Sequence, residues 1–273
     1  MMGKLVTPPI RLIATDLDGT LIGDEESPEL LPVFRQLLQH AQENWQTQWA
    51  IVTGRHSIAM RGMLHHLMCA GLRPNYVIAE DARIYRHVGQ GQLLPLFWWN
   101  LTVRWRRCRM VSRWRKQVQA WHDEILDRFP AAVDLSPREV HFWVSLKTVE
   151  NAIEAEALLR DKVAGLGEFF VFRWDKEICL MPTAGSKGEA VEKLAEHLKI
   201  DLADVFAIGD GPNDVSMLDG SAAGHVACVG NATAEVANIV RIVGGHVAEG
   251  ECLDGVIEAL RKYIHLPDEG KSA

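Results

Sequence analysis

Apolar and polar positions follow two different rhythms along this chain. From Ile10 to about Glu80, short apolar runs separate stretches with helical spacing. Ile10-Arg11-Leu12-Ile13-Ala14, Trp49-Ala50-Ile51-Val52 and Tyr76-Val77-Ile78-Ala79 each read as a buried strand. Between the first two, Leu30, Leu31, Phe34, Leu37, Leu38 and Ala41 mark one face of a helix, with Ser27 as its N-cap and Pro28 at its first position. A second helix follows, with Ile58, Leu64, Leu67 and Met68 facing inward. This alternation predicts a parallel sheet covered by helices on both faces, an α/β, Rossmann-like core.

The rhythm changes near Arg83. Glu139 to Leu146 alternates, with Val140, Phe142, Val144 and Leu146 on one side. Glu168 to Asp175 and Glu177 to Met181 predict a hairpin that turns at Asp175-Lys176, and Val149 to Val163 predicts a helix. Such a stretch forms an antiparallel sheet with helices on one face. After Pro182 the parallel pattern resumes, with a helix from Lys187 to Lys199 and a strand at Val205-Phe206-Ala207-Ile208. The expected organisation is a core of residues 1–82 and 183–273 with an inserted α+β cap domain at 83–182. A chain of 273 residues is long enough for both, at about 150 residues per domain.

Composition narrows the classes. Hydrophobic residues make up 48% of the chain, enough for a substantial core, and a formal net charge of −7 argues against coating nucleic acid. Cys69, Cys108, Cys179, Cys228 and Cys252 are scattered and form no C-x-x-C, so neither a disulfide framework nor a zinc cage is indicated. No run approaches the roughly 18 apolar residues that span a bilayer, and no signal peptide is evident, so a cytoplasmic protein without a membrane partner is expected. One basic stretch stands apart: Trp98 to Trp121 holds seven Arg or Lys and no acid. Val103, Met110, Trp114, Val118, Trp121 and Ile125 recur there at helical spacing. An amphipathic helix is expected, its tryptophans packed on the sheet and its arginines in water. An anionic substrate or partner surface is the alternative.

Four segments carry candidate chemistry. Asp16-Leu17-Asp18-Gly19-Thr20-Leu21 puts two carboxylates where a strand ends and the chain turns, the edge of a parallel sheet where ligands bind. One acid there can attack an electrophile while its neighbour moves protons. Thr53-Gly54-Arg55 ends the second strand; its hydroxyl, backbone N–H groups and guanidinium suit a phosphate, although alone they fit a capped loop equally well. Lys187 falls in the first turn of a helix, where the dipole disfavours a cation unless an anion lies in front of it. Gly209-Asp210-Gly211-Pro212-Asn213-Asp214 holds two more carboxylates on a turn after a buried strand, and oxygen-only ligands of this kind suit magnesium. Together they supply a nucleophile, a proton shuttle, a metal site and donors for phosphoryl oxygens.

In order and spacing these segments resemble the haloacid dehalogenase superfamily of phosphatases. The position of the insertion is similar to that of its Cof-type and sucrose-phosphate-phosphatase-like branch, which carries an α/β cap. The resemblance implies Asp16 as the nucleophile that forms an aspartyl-phosphate, and Asp18 as the acid and base. It implies Mg²⁺ held by Asp16, the Asp18 backbone carbonyl and Asp210, with Asp214 in or beside that set. Thr53, with Gly54 and Arg55, Lys187 and Asn213 would bind or orient the phosphoryl group. Many relatives place Asn-Gly where this chain has Glu80-Asp81; acids there either finish a turn or meet substrate hydroxyls. The function this implies is hydrolysis of a sugar phosphate or a similar small phosphorylated metabolite. A sugar phosphomutase and a noncatalytic phospho-ligand sensor are the alternatives, and oligomeric state is left open.

Overall fold

The computed structural model describes residues 9–23, 28–136 and 142–266. The chain begins with β1 (Leu12–Asp16), α1 (Leu31–Trp45), β2 (Gln48–Val52), α2 (Ser57–Cys69), β3 (Tyr76–Ala79), β4 (Arg83–His87) and β5 (Leu93–Pro95). Next come α3 (Phe97–Arg128), β6 (Val133–Asp134), β7 (Phe142–Ser145), α4 (Val149–Val163), β8 (Phe169–Trp174) and β9 (Glu177–Pro182). The last part holds α5 (Lys187–Leu198), β10 (Val205–Gly209), α6 (Val215–Leu218), β11 (His225–Cys228), α7 (Ala234–Ile242), β12 (His246–Val247) and α8 (Cys252–Arg261). Contacts divide the chain into one unit of residues 1–96 and 187–273 and a second of residues 97–186.

The first unit is built on an eight-stranded sheet in the order β12-β11-β10-β1-β2-β3-β4-β5. β12 to β3 are parallel, and β4 and β5 add antiparallel strands at one edge. Every residue of β1 and β3 is buried, the signature of strands covered on both faces. Phe34, Leu37 and Ala41 of α1 and Met60, Leu64 and Leu67 of α2 join them in one core. β1 lies between β2 and β10, so the chain leaves it toward one side of the sheet and returns on the other. Such a switch point opens a crevice at the carboxyl ends of the strands.

The second unit carries a four-stranded antiparallel sheet in the order β6-β7-β9-β8. Phe142, Val144 and Leu146 pack with Phe169, Val171, Ile178 and Leu180 against Ala152, Ala155 and Leu159 of α4 and Met110, Trp121 and Ile125 of α3. The hairpin of β8 and β9 turns at Asp175, whose φ of 48° lies in the left-handed region.

Several sequence expectations need correction. The seam falls after Leu96, not at Ala82, because β4 and β5 continue the core sheet. The return falls at Lys187, after Ser186. α1 starts at Leu31 with Pro32 in its opening turn, and Pro28 sits in a turn before it. Ser27, Glu139 and Val140 lie outside the described residues. Ile58 is 69% exposed, since the first turn of α2 overhangs the core that Met60 enters. On α3, Trp114 and Trp121 pack against Phe169 as expected, but Trp98 and Trp105 face water. No helix among the described residues is long and apolar enough to cross a membrane.

Candidate active site

The parallel register sets the site. Asp16 ends β1 opposite Val52, and Thr15 pairs with Ile208 on the other side. Asp16, Thr53 and Asp210 therefore leave three adjacent strands at one edge. All three are buried, with exposures of 5%, 1% and 3%. Lys187, the first residue of α5, reaches the same place and is 1% exposed.

The Lys187 ammonium donates to Asp16 Oδ1 at 2.6 Å and to Asp214 Oδ1 at 2.5 Å. Asp214 Oδ2 accepts from the backbone N–H groups of Asp210 and Gly211, at 3.0 and 2.9 Å, which fastens the 209–214 loop onto itself. Thr20 Oγ1 donates to Asp210 Oδ1 at 2.8 Å and ties the first loop to the last. Two glycines permit this approach. A Cβ on Gly19, whose φ is +80°, would stand 2.4 Å from Asp210 Oδ2, and one on Gly209 would stand 2.5 Å from the Asp214 carboxyl carbon.

Charge at the site is unbalanced. Asp16, Asp210 and Asp214 bring carboxylate oxygens within 4.8 Å of one another, and one buried ammonium faces them. Burial first, then Asp214, pushes the Asp16 carboxyl well above its ordinary range, while Lys187 pulls it back. Burial and Asp214 push Asp210 up to about 6. Burial alone would depress Lys187, but Asp16, Asp214 and Asp81 outweigh it and hold the ammonium above the usual lysine range. A buried, all-oxygen group with surplus negative charge fits a hard divalent cation such as Mg²⁺, which would offset the repulsion.

The remaining sequence candidates surround this cluster. Asp18 is half exposed and accepts the Arg55 guanidinium on both carboxylate oxygens, with Nε at 2.8 Å. Its side chain thus lies apart from the three buried carboxylates. Thr53 Oγ1 accepts the Arg55 N–H at 3.1 Å, closing its own loop. Gly54 runs beside Asp81, and Asn213 Nδ2 donates to Asp81 Oδ1 at 3.4 Å.

The sequence reading gave no role to Thr20 or Asn231. Asn231 Nδ2 donates to the Gly19 carbonyl at 2.8 Å, and Asn231 Oδ1 accepts the Cys252 N–H at 2.8 Å. Asn231 braces the Asp16–Thr20 turn from the exit of β11. A Gly-Asn pair after a buried strand was the available signal.

Comparison with known proteins adds to this geometry. The family model for sucrose-6F-phosphate phosphohydrolase matches residues 9–264. An HMP-PP phosphatase of Yersinia pseudotuberculosis is 28% identical over 247 residues, covering 81% of this chain and 84% of that protein. An uncharacterised Geobacillus stearothermophilus protein from the pdhA 5′ region is 37% identical over 101 residues, 37% of this chain and 100% of that protein. The structure of a Synechocystis sucrose-phosphatase in complex with sucrose and phosphate superposes with a TM-score of 0.66 at 23% identity, covering 93% of this chain and 98% of that one. A Bacteroides thetaiotaomicron phosphatase of the haloalkanoate (HAD) superfamily gives a TM-score of 0.60 at 17% identity, covering 93% and 95%. The two structural likenesses speak for the fold.

Proposed function

The chain belongs to the sucrose-6F-phosphate phosphohydrolase family, within the haloacid dehalogenase superfamily of phosphatases; from this we propose that it is a Mg²⁺-dependent hydrolase of small phosphate monoesters, sugar phosphates foremost, working through an aspartyl-phosphate on Asp16. The buried Lys187 ammonium, bonded to both Asp16 and Asp214, carries the reading. Deep burial of one cation against two acids is costly as a structural device. It makes chemical sense where a carboxylate must stay ionised to attack.

Asp16 bonds to phosphorus as the bond from phosphorus to the ester oxygen breaks. Lys187 opposes the burial and the Asp214 charge that push Asp16 toward its neutral form, and it fixes the orientation of the carboxylate. Asp18 gives its proton to the departing oxygen, then takes one from water. The water oxygen bonds to phosphorus, the acyl-phosphate bond breaks, and inorganic phosphate leaves with Asp16 restored. Arg55 pairs with Asp18 and fixes the direction of its carboxylate. Thr53, Gly54, Asn213 and Lys187 hold the transferring oxygens. Asp16, Asp210, Asp214 and the Asp18 carbonyl would hold Mg²⁺, which would supply positive charge against those oxygens. A small phosphorylated metabolite in a cytoplasmic setting goes with this reading.

The test is phosphate release from a broad panel of phosphate esters by the purified protein. Stoichiometric phosphate that depends on Mg²⁺, stops with EDTA and vanishes in Asp16→Asn supports hydrolysis. Isomerised ester without free phosphate points instead to a mutase, and tight binding without turnover to a sensor.

A further inference from the structure

Glu80 and Asp81 close β3 with φ of 54° and 61°, two successive left-handed residues that are not glycine. L-residues resist that region, and such outliers persist only where neighbouring structure imposes them. Here the imposition is visible: Glu80 N–H donates to the Arg55 carbonyl at 3.0 Å and Asp81 N–H to the Thr53 carbonyl at 3.1 Å. The turn is stitched to the loop after β2. Asp, like Asn and Gly, tolerates this backbone, whereas Glu does not readily, so the turn alone does not explain Glu80.

Glu80 is explained by its own partners, with ion pairs to Arg83 at 3.3 Å and His56 at 3.5 Å. Asp81 is different. Its carboxylate stands 3.4 Å from the Asn213 amide and 3.5 Å from where a Cβ on Gly54 would be. Gly54 and Asn213 are two of the groups assigned above to the phosphoryl oxygens. A carboxylate beside a phosphate repels it and offers only acceptors. Its charge supports the Lys187 ammonium, and its remaining acceptor positions stand ready for a donor on the part of the ester that is not phosphate.

We propose that Asp81 is a specificity-determining residue whose carboxylate accepts a hydrogen bond from a hydroxyl of the leaving alcohol, so that the enzyme favours sugar and polyol monophosphates over esters without such a hydroxyl. This rests on the hydrolase reading and adds to it the class of leaving group. Asp81 is half-buried, and closing an ester without a matching donor over it leaves the acceptor unpaired, which penalises that ester.

The experiment compares glucose 6-phosphate with cyclohexylmethyl phosphate, which has the same ring size and no hydroxyl, using p-nitrophenyl phosphate as a general ester. The full-length protein with Mg²⁺ is assayed as wild type, Asp81→Asn and Asp81→Gly. Both replacements tolerate the left-handed backbone, so melting temperatures hold or rise. Wild type prefers glucose 6-phosphate by at least about tenfold in kcat/KM, and Asp81→Asn removes most of that preference, chiefly through KM. The proposal is overturned if wild type shows no preference, or if the ratio survives in Asp81→Asn. It is also overturned if Asn213→Ala and Asp81→Asn depress both esters alike, since Asp81 would then only seat Asn213. No phosphate from any of the three esters defeats the hydrolase reading; phosphate release without the ratio change defeats this proposal alone.

Discussion

Replacing Lys187 with Met removes the ammonium and keeps most of the chain length. Two carboxylates, Asp16 and Asp214, then lose a partner that stood 2.6 and 2.5 Å away in a site nearly closed to water. Breaking a buried pair by deleting one member costs about 3–5 kcal/mol, because the orphaned charge stays buried. In a chain of this size that corresponds to a fall of about 10 °C in melting temperature. The loss depends on pH with a definite sign. Asp16 already titrates above its ordinary value through burial and Asp214, and loss of Lys187 raises it further. A carboxyl raised in the folded state stabilises the fold below its unfolded value, and that stability drains away as pH rises through the folded value. Lys187→Met is therefore least impaired near pH 5 and most impaired near pH 8, relative to wild type, in metal-free denaturation monitored by circular dichroism. Phosphate release at neutral pH falls by at least about a hundredfold, since an uncharged Asp16 does not attack. A Lys187→Met protein as stable as wild type at pH 8, or with a deficit that does not change with pH, would refute this account of the cluster.

Other outcomes follow from the same geometry. Gly19→Ala introduces a Cβ 2.4 Å from Asp210 and a strained left-handed alanine; we expect a loss of about 1–2 kcal/mol on denaturation and near-complete loss of turnover. Arg55→Ala removes a half-exposed pair with Asp18 and should change stability by less than about 1 kcal/mol, while kcat falls because the Asp18 carboxylate loses the partner that orients it. His225 has a buried Nε2 without a hydrogen-bond partner, and burial lowers its pKa despite Asp204. The stability it allows is full above about pH 6.5 and drains as pH falls through the lower folded value, so His225→Phe should flatten melting temperature against pH on the acid side. Asn231→Ala frees the Gly19 carbonyl and the Cys252 N–H; turnover should drop more than melting temperature, read by kcat beside calorimetry.

Much of the fold was legible because its signals are local. The all-apolar strands and the helical face of Phe34, Leu37 and Ala41 declare a doubly covered parallel sheet, and α4 falls on the residues its periodicity marked. The seam after Leu96 was not legible. Arg83 to His87 alternates like the strands of the insertion, and only pairing with β3 shows which sheet it joins. Exposure of Trp98 and Trp105 was missed for a related reason: hydrophobicity marks what prefers burial, while the neighbours that cover a face come from elsewhere in the chain. At the site, Lys187 stood out because a cation at a helix start needs an anion, and the structure supplies two. The outward turn of Asp18 onto Arg55 and the bracing by Asn231 depend on contacts across 37 and 212 residues, which no local pattern encodes.

Capture of phosphorus by a side-chain oxygen is tested most directly by trapping the phosphoenzyme. Asp18→Asn is mixed with p-nitrophenyl phosphate and Mg²⁺, quenched in acid within one turnover and digested for mass spectrometry. The aryl leaving group departs without an acid, while hydrolysis of the intermediate lacks its base. The account predicts one added phosphoryl group on the peptide bearing Asp16 and none in Asp16→Asn. A phosphoryl group on another residue, or product formed with no phosphorylated peptide in Asp18→Asn while Asp16→Asn still turns over, would contradict it.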